Sequence, residues 1–245
     1  MKRNYVDLPE GQVHYRIDGA GEAMLLVHQT PASSAEYLEM MAILSQKYRV
    51  IAVDTLGYGM SDYPAVDPTI ELYAKVNRDF LAALGVTKAH IFGHHTGASI
   101  ATEMAVAYPE LALSLSLSGC PIYPAEVRAE RLRGAHSMEI TEDGSYVTTL
   151  MGLIQKYNPC AAKEFRHRTL VSGLQAGTRN EDAHVAVFGY DIAARFPLLK
   201  CNTLLLSGTK DVCFALLEDA AKLIPNCRTA VVEDADAMIL MEKPD

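Results

Sequence analysis

The chain has 245 residues, a formal net charge of −8 and 49% hydrophobic residues. This length suits one domain with a well-buried core and is short for two independent domains. The acidic balance argues against a nucleic-acid partner, because binding to phosphates requires clustered Lys and Arg.

The N-terminal stretch and the cysteines bear on the compartment of the protein. MKRNYVDLPEG contains basic residues without an apolar run after them, so it does not resemble a secretory signal. No segment reaches about 18 uninterrupted apolar residues, and the sequence therefore predicts no membrane-spanning helix. The five cysteines are odd in number and lack metal-binding spacing, which favours reduced thiols in a cytoplasmic protein. CxxC, HExxH and phosphate-loop patterns are lacking, so neither a metal nor a cofactor is predicted.

Short apolar runs of strand type alternate with patterns of helical type along the chain. The predicted strands are VHYRI (13–17), MLLVH (24–28), YRVIAVD (48–54), AHIFG (89–93), LALSLSLSG (111–119), CNTLLLSG (201–208) and CRTAVVE (227–233). The predicted helices cover 35–46, 69–85, 96–109 and 214–224. This alternation predicts an α/β fold with a mostly parallel sheet that helices cover on both faces.

The interval 121–196 interrupts the alternation with short helical patterns and few strands. We therefore predict a helical cap over the carboxyl edge of the sheet, where ligands bind in open parallel sheets. The core then comprises residues 1–120 and 197–245. The cap histidines are expected at the surface, and the last of them, His184, has the best chance of reaching a pocket. These histidines are His136, His167 and His184.

Four segments carry a resemblance to a known family. They are VHQTP (27–31), DTLGYGMSDYP (54–64), GHHTG (93–97) and LLLSGTKD (204–211). In this order they resemble the HGxP loop, the DxxGxGxSD segment, the GxSxG nucleophile elbow and the acid-bearing strand of the α/β-hydrolase superfamily. The resemblance covers nearly the whole chain and implies that fold and a small-molecule substrate. It implies hydrolysis less strongly, because one fold serves many functions.

The sequence departs from the family pattern at three positions. Gln29 stands where HGxP has glycine, and His95 stands where the elbow has its nucleophile. Alignment of the last segment, 234–245, places Ala237 where the family has its catalytic histidine. The family order is serine, acid, histidine, and no histidine of this sequence follows Asp211. An ordinary acyl-enzyme mechanism is therefore not expected.

A histidine at the elbow suggests a different use of the site. The elbow residue needs a strained backbone, which histidine tolerates better than most residues. One large ring has left position 237 and another has entered position 95, so we predict that His95 contacts Asp211. The carboxylate would raise the pKa of His95, whose imidazole could act as a general acid or base. The backbone N–H groups of Thr30 and Thr96 would form the oxyanion hole, the latter at a helix N-terminus.

Two kinds of function remain open from the sequence. The first is an enzyme in which His95 either activates water toward an ester, thioester or β-diketone, or removes a proton from carbon beside a carbonyl. The second is a catalytically silent protein that binds a ligand. Contact between the imidazole and Asp211, with the ring facing an open cavity, would favour the enzyme, whereas a ring buried in apolar packing with the cavity closed would argue against it. A homodimer is one alternative for the assembly.

Four residues near the motifs are candidates for ligand binding. Gln29 would narrow the pocket or donate a hydrogen bond to a substrate oxygen. His28 is expected to order the oxyanion loop more than to touch substrate, and His94 to pack behind the elbow. Cys120 follows a predicted strand and is not expected to be a nucleophile, because it does not occupy the elbow centre.

Overall fold

The computed structural model describes residues 1–135 and 138–245. Its strands form one sheet, and helices alternate with them along the chain. Its strands are β1 (Lys2–Leu8), β2 (Gly11–Asp18), β3 (Ala23–Val27), β4 (Arg49–Val53), β5 (Ala89–His94), β6 (Ala112–Ser118), β7 (Thr203–Gly208) and β8 (Cys227–Val232). The strand order is β1-β2-β4-β3-β5-β6-β7-β8. Strand β2 pairs antiparallel with β1 and β4, and the remaining pairs are parallel.

Helices follow each of the parallel strands β3–β8 in the chain. They are α1 (Leu38–Leu44), α2 (Ile70–Ala83), α3 (Thr96–Ala107), α4 (Ala125–Gly134), α5 (Ser145–Tyr157), α6 (Lys163–Ala176), α7 (Asp182–Gly189), α8 (Ile192–Arg195), α9 (Leu217–Leu223) and α10 (Ile239–Glu242). The Thr69 hydroxyl caps α2 by accepting the Leu72 N–H at 3.1 Å. Within the described residues, no helix combines the length and apolar character that a membrane crossing requires.

The predicted mostly parallel sheet is confirmed, with one strand added at its edge. Strand β1 was not predicted, because its first four residues are all exposed and show no buried face. The helix predicted over 35–46 begins later in the structure, because a 3₁₀ turn over Ser34–Tyr37 precedes α1. His136, expected at the surface, lies outside the described residues.

Both faces of the sheet are covered by apolar side chains. In β3, Leu25 and Val27 belong to the larger core cluster with α2 and α3, whereas Leu26 belongs to a second cluster with residues of α1 and α10. All three leucine and valine side chains are inaccessible. Alternation along a strand sends successive side chains to opposite faces, so a run of buried residues marks a strand covered on both sides.

Helices α4–α8 lie between β6 and β7 in the chain and contact the segments that follow β3 and β4. Arg168 of α6 donates two hydrogen bonds, of 2.7 and 2.8 Å, to the Glu39 carboxylate. The Ala183 N–H of α7 donates to the Tyr58 hydroxyl at 2.9 Å. These helices occupy the interval predicted as a cap, and the division of the chain into core and cap stays a prediction.

Candidate active site

The segment 93–97, here called the elbow, forms a sharp turn between β5 and α3. His95 has φ 47° and ψ −108°, and its N–H donates to the Ser118 carbonyl at 2.8 Å. A Cβ atom at Gly97 would overlap the Val27 carbonyl, and one at Gly93 would overlap the Gly97 carbonyl. The two glycines therefore allow strand, turn and helix to pack closely, and the turn forms with a histidine at its centre.

The His95 ring contacts Asp211 at the end of β7. Nε2–H donates to Oδ2 at 2.8 Å, while Oδ1 accepts the Cys213 N–H at 2.7 Å. The Asp211 side chain is fully buried, whereas 18% of the His95 side chain is exposed. Nδ1 of His95 has no hydrogen-bond partner among the described residues and is not enclosed. Because Nε2 carries the proton, Nδ1 presents its lone pair toward the accessible side.

His95 and Asp211 each favour the charged form of the other. Burial lowers the pKa of His95, but the charge and hydrogen bond of Asp211 outweigh it, so the pKa lies above its ordinary value. Burial would raise the pKa of Asp211, but the His95 imidazole and the Cys213 N–H lower it to about 2. The carboxylate is therefore charged at neutral pH, and it holds the proton on the imidazole to a higher pH than usual.

Gly119, at the end of β6, makes room for the His95 ring. Its φ is +62°, and a Cβ atom there would overlap His95 Cδ2 and Nε2 and lie 3.0 Å from Asp211 Oδ2. Any other residue at this position would therefore push the ring away from its carboxylate. The sequence analysis missed this role, and a glycine closing a predicted strand was the only sign of it.

Thr30 and Thr96 present two backbone donors at the same edge of the sheet. Thr30 lies in the loop after β3, Thr96 is the first residue of α3, and both are buried. Neither N–H donates to any residue in the described part of the chain. The first N–H groups of a helix have no partner within it, and the helix dipole favours negative charge there. Both donors are thus available to a ligand oxygen, and their catalytic role stays a prediction.

A second polar cluster lies behind the elbow. Glu36, only 2% exposed, accepts the backbone N–H of Gln29 at 3.2 Å and its side-chain Nε2–H at 2.9 Å. Gln29 Nε2 also lies 3.4 Å from the Ala237 carbonyl. His94, fully buried, donates Nε2–H to that same carbonyl at 2.9 Å. Glu36 was not recognised from the sequence, because it reads as a polar position of a predicted helix.

The two titratable groups of this cluster are both strongly perturbed by burial. Burial raises the pKa of Glu36 to about 7, against hydrogen bonds from Gln29 that lower it. Burial and the neighbouring His95 lower the pKa of His94 to about 3. His94 is therefore neutral at physiological pH, and its ring centroid lies 4.5 Å from that of His95.

The polar atoms of Gln29 and His28, two predicted binding residues, form hydrogen bonds within the protein. The Gln29 amide hydrogens face Glu36 and Ala237, so donation to a substrate would require the amide to turn. His28 donates Nδ1–H to the Gln29 carbonyl at 2.7 Å and accepts the Thr55 N–H on Nε2 at 3.0 Å. Both nitrogens thus order the loop after β3.

The last two predicted binding residues are His184 and Cys120. His184 lies 2.9 Å from Glu181 through Nδ1 and stacks on Phe188 at 6.1 Å between centroids. Cys120 is buried next to Gly119, and burial raises its thiol pKa well above the ordinary value. Cys120 therefore stays a protonated thiol, which is a poor nucleophile.

One group of side chains could hold a metal ion. Potential ligand atoms of His95, Asp211 and Cys213 lie within 4.8 Å of one another. Burial raises the pKa of the Cys213 thiol to about 12, and His95 Nε2 already bonds Asp211. A metal would have to displace both protons, so the hydrogen-bonded pair is the simpler use of these residues.

Comparison with known proteins places these features in a family context. A sequence model described as alpha/beta hydrolase fold matches residues 22–144. A Mycobacterium tuberculosis protein described as uncharacterized is 38% identical over 97 residues, 40% of this chain and 28% of that protein. Haloalkane dehalogenase 2 of Mycobacterium tuberculosis is 26% identical over 265 residues, 96% of this chain and 91% of the relative. The chain spans less than half the length of the first curated relatives it matches.

The same architecture occurs among solved structures. The crystal structure of a hydrolase from Pseudomonas aeruginosa has a TM-score of 0.84 to this chain. The two chains are 21% identical, and the match covers 99% of this chain and 94% of the other. At that identity the similarity establishes the fold, and the chemistry has to be argued from the site.

Proposed function

The chain belongs to the α/β-hydrolase fold family, and on that basis we propose that it is an enzyme that hydrolyses a small carbonyl compound by general acid–base catalysis. His95 is the proposed base, Asp211 orients and charges it, and the Thr30 and Thr96 N–H groups receive the oxyanion. The observation that carries the proposal is the 2.8 Å contact between His95 Nε2 and Asp211 Oδ2, with Nδ1 left accessible.

The proposed reaction begins with a water molecule held at Nδ1 of His95. As the water oxygen attacks the carbonyl carbon, Nδ1 takes its proton, and the buried Asp211 carboxylate stabilises the imidazolium that forms. The carbonyl oxygen becomes negative and accepts hydrogen bonds from the Thr30 and Thr96 N–H groups. When the intermediate collapses, the imidazolium returns the proton to the leaving group, and no covalent enzyme intermediate forms.

The magnitudes are compatible with a working enzyme. General acid–base catalysis contributes typically about 10²–10⁴-fold to the rate. Loss of one oxyanion-hole donor typically costs about 10²–10³-fold in turnover. The base and the two donors therefore supply useful acceleration without a nucleophile at the elbow. A curated relative named as a haloalkane dehalogenase and a structural neighbour named as a hydrolase support the hydrolase class, while the substrate is not carried over from them.

The test starts from a screen of esters, thioesters and β-diketones by mass spectrometry, in water enriched in heavy oxygen and separately in deuterium oxide. Heavy oxygen in the acid product is the expected result. Deuterium at carbon without heavy oxygen would instead assign proton abstraction, as in an isomerase or lyase. Binding without any conversion would assign a ligand-binding protein and overturn the proposal.

Variants at the elbow then identify the base. We expect His95→Ala to abolish conversion and His95→Ser not to restore it, because the serine would lack a base. His167→Ala is the matched control, since His167 is exposed on α6. A covalent serine-hydrolase probe should leave the native protein unlabelled. Strong ester turnover by His95→Ser would show that another residue supplies the base.

A further inference from the structure

Two of the three departures from the family pattern meet in the cluster behind the elbow. Gln29 binds both carboxylate oxygens of Glu36, through its backbone N–H and its side-chain amide. The same amide approaches the carbonyl of Ala237, at 3.4 Å. A glycine at position 29 would lack the side-chain donor, so the presence of glutamine there is linked to the buried carboxylate.

His94 connects this cluster to the third departure, His95. Its Nε2 lies 2.9 Å from the Ala237 carbonyl and 3.6 Å from Glu36 Oε1. Its Nδ1 is buried and has no hydrogen-bond partner in the described part of the chain. Its ring packs on the His95 ring at 4.5 Å between centroids. Two imidazoles are therefore flanked by two buried carboxylates, Asp211 on one side and Glu36 on the other.

We propose that Glu36 is a positioning residue for the His95 site, which it supports through Gln29 and His94. The proposal rests on the proposed function of His95 and deepens it. By holding Gln29, Glu36 anchors the loop that continues into the Thr30 N–H. By facing His94, it adds a second negative charge behind the elbow imidazole.

The surroundings of Glu36 leave its charge largely uncompensated. The elbow contributes His94 and His95, and Asp211 lies beyond them on the β7 loop. The loop after β3 contributes only the uncharged Gln29 amide and N–H, and the loop after β8 contributes the Ala237 carbonyl. On the same turn, Tyr37 donates its hydroxyl to the Val27 carbonyl. Among the described residues, His94 is the sole basic side chain within 4.0 Å of Glu36, and it is neutral at physiological pH.

Buried among these groups, Glu36 ionises at a higher pH than an ordinary carboxyl group. With a pKa of about 7, Glu36 changes from carboxyl to carboxylate near neutrality. The carboxylate attracts the protonated form of His95 and so raises the pKa of that imidazole. The titration of His95 should then show two steps, one of its own and a smaller one from Glu36.

The experiment follows the imidazole nitrogens of His95 by NMR across the pH range, in the full chain. We expect two steps in the wild type, and in Glu36→Gln a single step at lower pH. Glu39→Gln is the matched control, because Glu39 is a nearby carboxylate that pairs with Arg168 instead of facing the elbow. Superimposable His95 curves for Glu36→Gln and the wild type would overturn the inference.

A second variant covers the case in which Glu36→Gln does not fold. Gln29→Met keeps the size of the side chain and removes its donor, so the smaller step should move to higher pH. An unchanged step would also overturn the inference. The NMR titration needs no substrate, and its outcome is therefore separate from that of the proposed function. Full activity of the His95→Ala variant, together with a two-step His95 titration in the wild type, would reject the base role and leave the coupling to Glu36 standing.

Discussion

Gly119→Ala tests the geometry of the site more directly than a change to His95 itself. The added methyl group would overlap His95 Cδ2 and Nε2. Ordinary carbon contacts lie at about 3.5 Å, so the ring would have to move by roughly 1 Å. A displacement of this size away from Asp211 stretches the 2.8 Å contact beyond the length of a hydrogen bond. The variant therefore breaks the pair without removing either member.

The expected consequences are specific to the site. Separated from its carboxylate, His95 should show a pKa nearer its ordinary value, and turnover should fall by about 10²–10⁴-fold. The backbone effect is separate, because alanine in a left-handed conformation costs about 1–2 kcal/mol. Gly85→Ala is the matched control: Gly85 has φ +68°, and nothing lies within 4 Å of its added Cβ.

The assays are thermal unfolding, imidazole NMR and turnover of the compound found in the screen. Both glycine variants should lose similar stability from backbone strain, and only Gly119→Ala should lose the His95 pKa shift and the activity. If Gly119→Ala matched Gly85→Ala in all three measurements, the ring would not occupy the space above Gly119. The proposed base geometry would then be wrong.

Two further predictions concern pH. The working base is unprotonated His95, whose pKa lies above 6.5 because Asp211 outweighs burial, so turnover should rise with pH through that pKa. In pH–rate profiles of Asp211→Asn, turnover should begin to rise at lower pH than in the wild type, and its maximum should be about 10²–10⁴-fold lower. A rise at the same pH in both proteins would exclude Asp211 as the cause of the raised His95 pKa. Burial raises the pKa of Glu36 from 4.5 to about 7, so its contribution to stability falls as pH rises through that interval. In urea denaturation, the free energy of unfolding of Glu36→Gln should increase relative to that of the wild type by roughly 3 kcal/mol between pH 4.5 and about 7. A difference that stays constant with pH would contradict this.

The sequence is informative about local structure because local structure depends on neighbours in the chain. Periodic apolar residues mark the parallel strands and their helices, and the glycines at 93 and 97 mark the turn around His95. Strand β1 escaped prediction because an exposed edge strand has no buried face to impose a pattern. The role of Glu36 was not predicted either, because a 3₁₀ turn directs its side chain inward where the sequence predicted an α-helix.

The sequence by itself determined the order of the elements, the histidine at the elbow and the alanine at position 237. The contact of His95 with Asp211, 116 residues away, was predicted from the sequence, but only the tertiary structure decided that Gly119 leaves room for it. It also brought Gln29, Glu36 and His94 into one buried cluster. The physical reason is that these contacts join loops after different strands. Their distances depend on how the whole sheet edge packs, whereas the pattern of a strand or helix depends on burial along one segment.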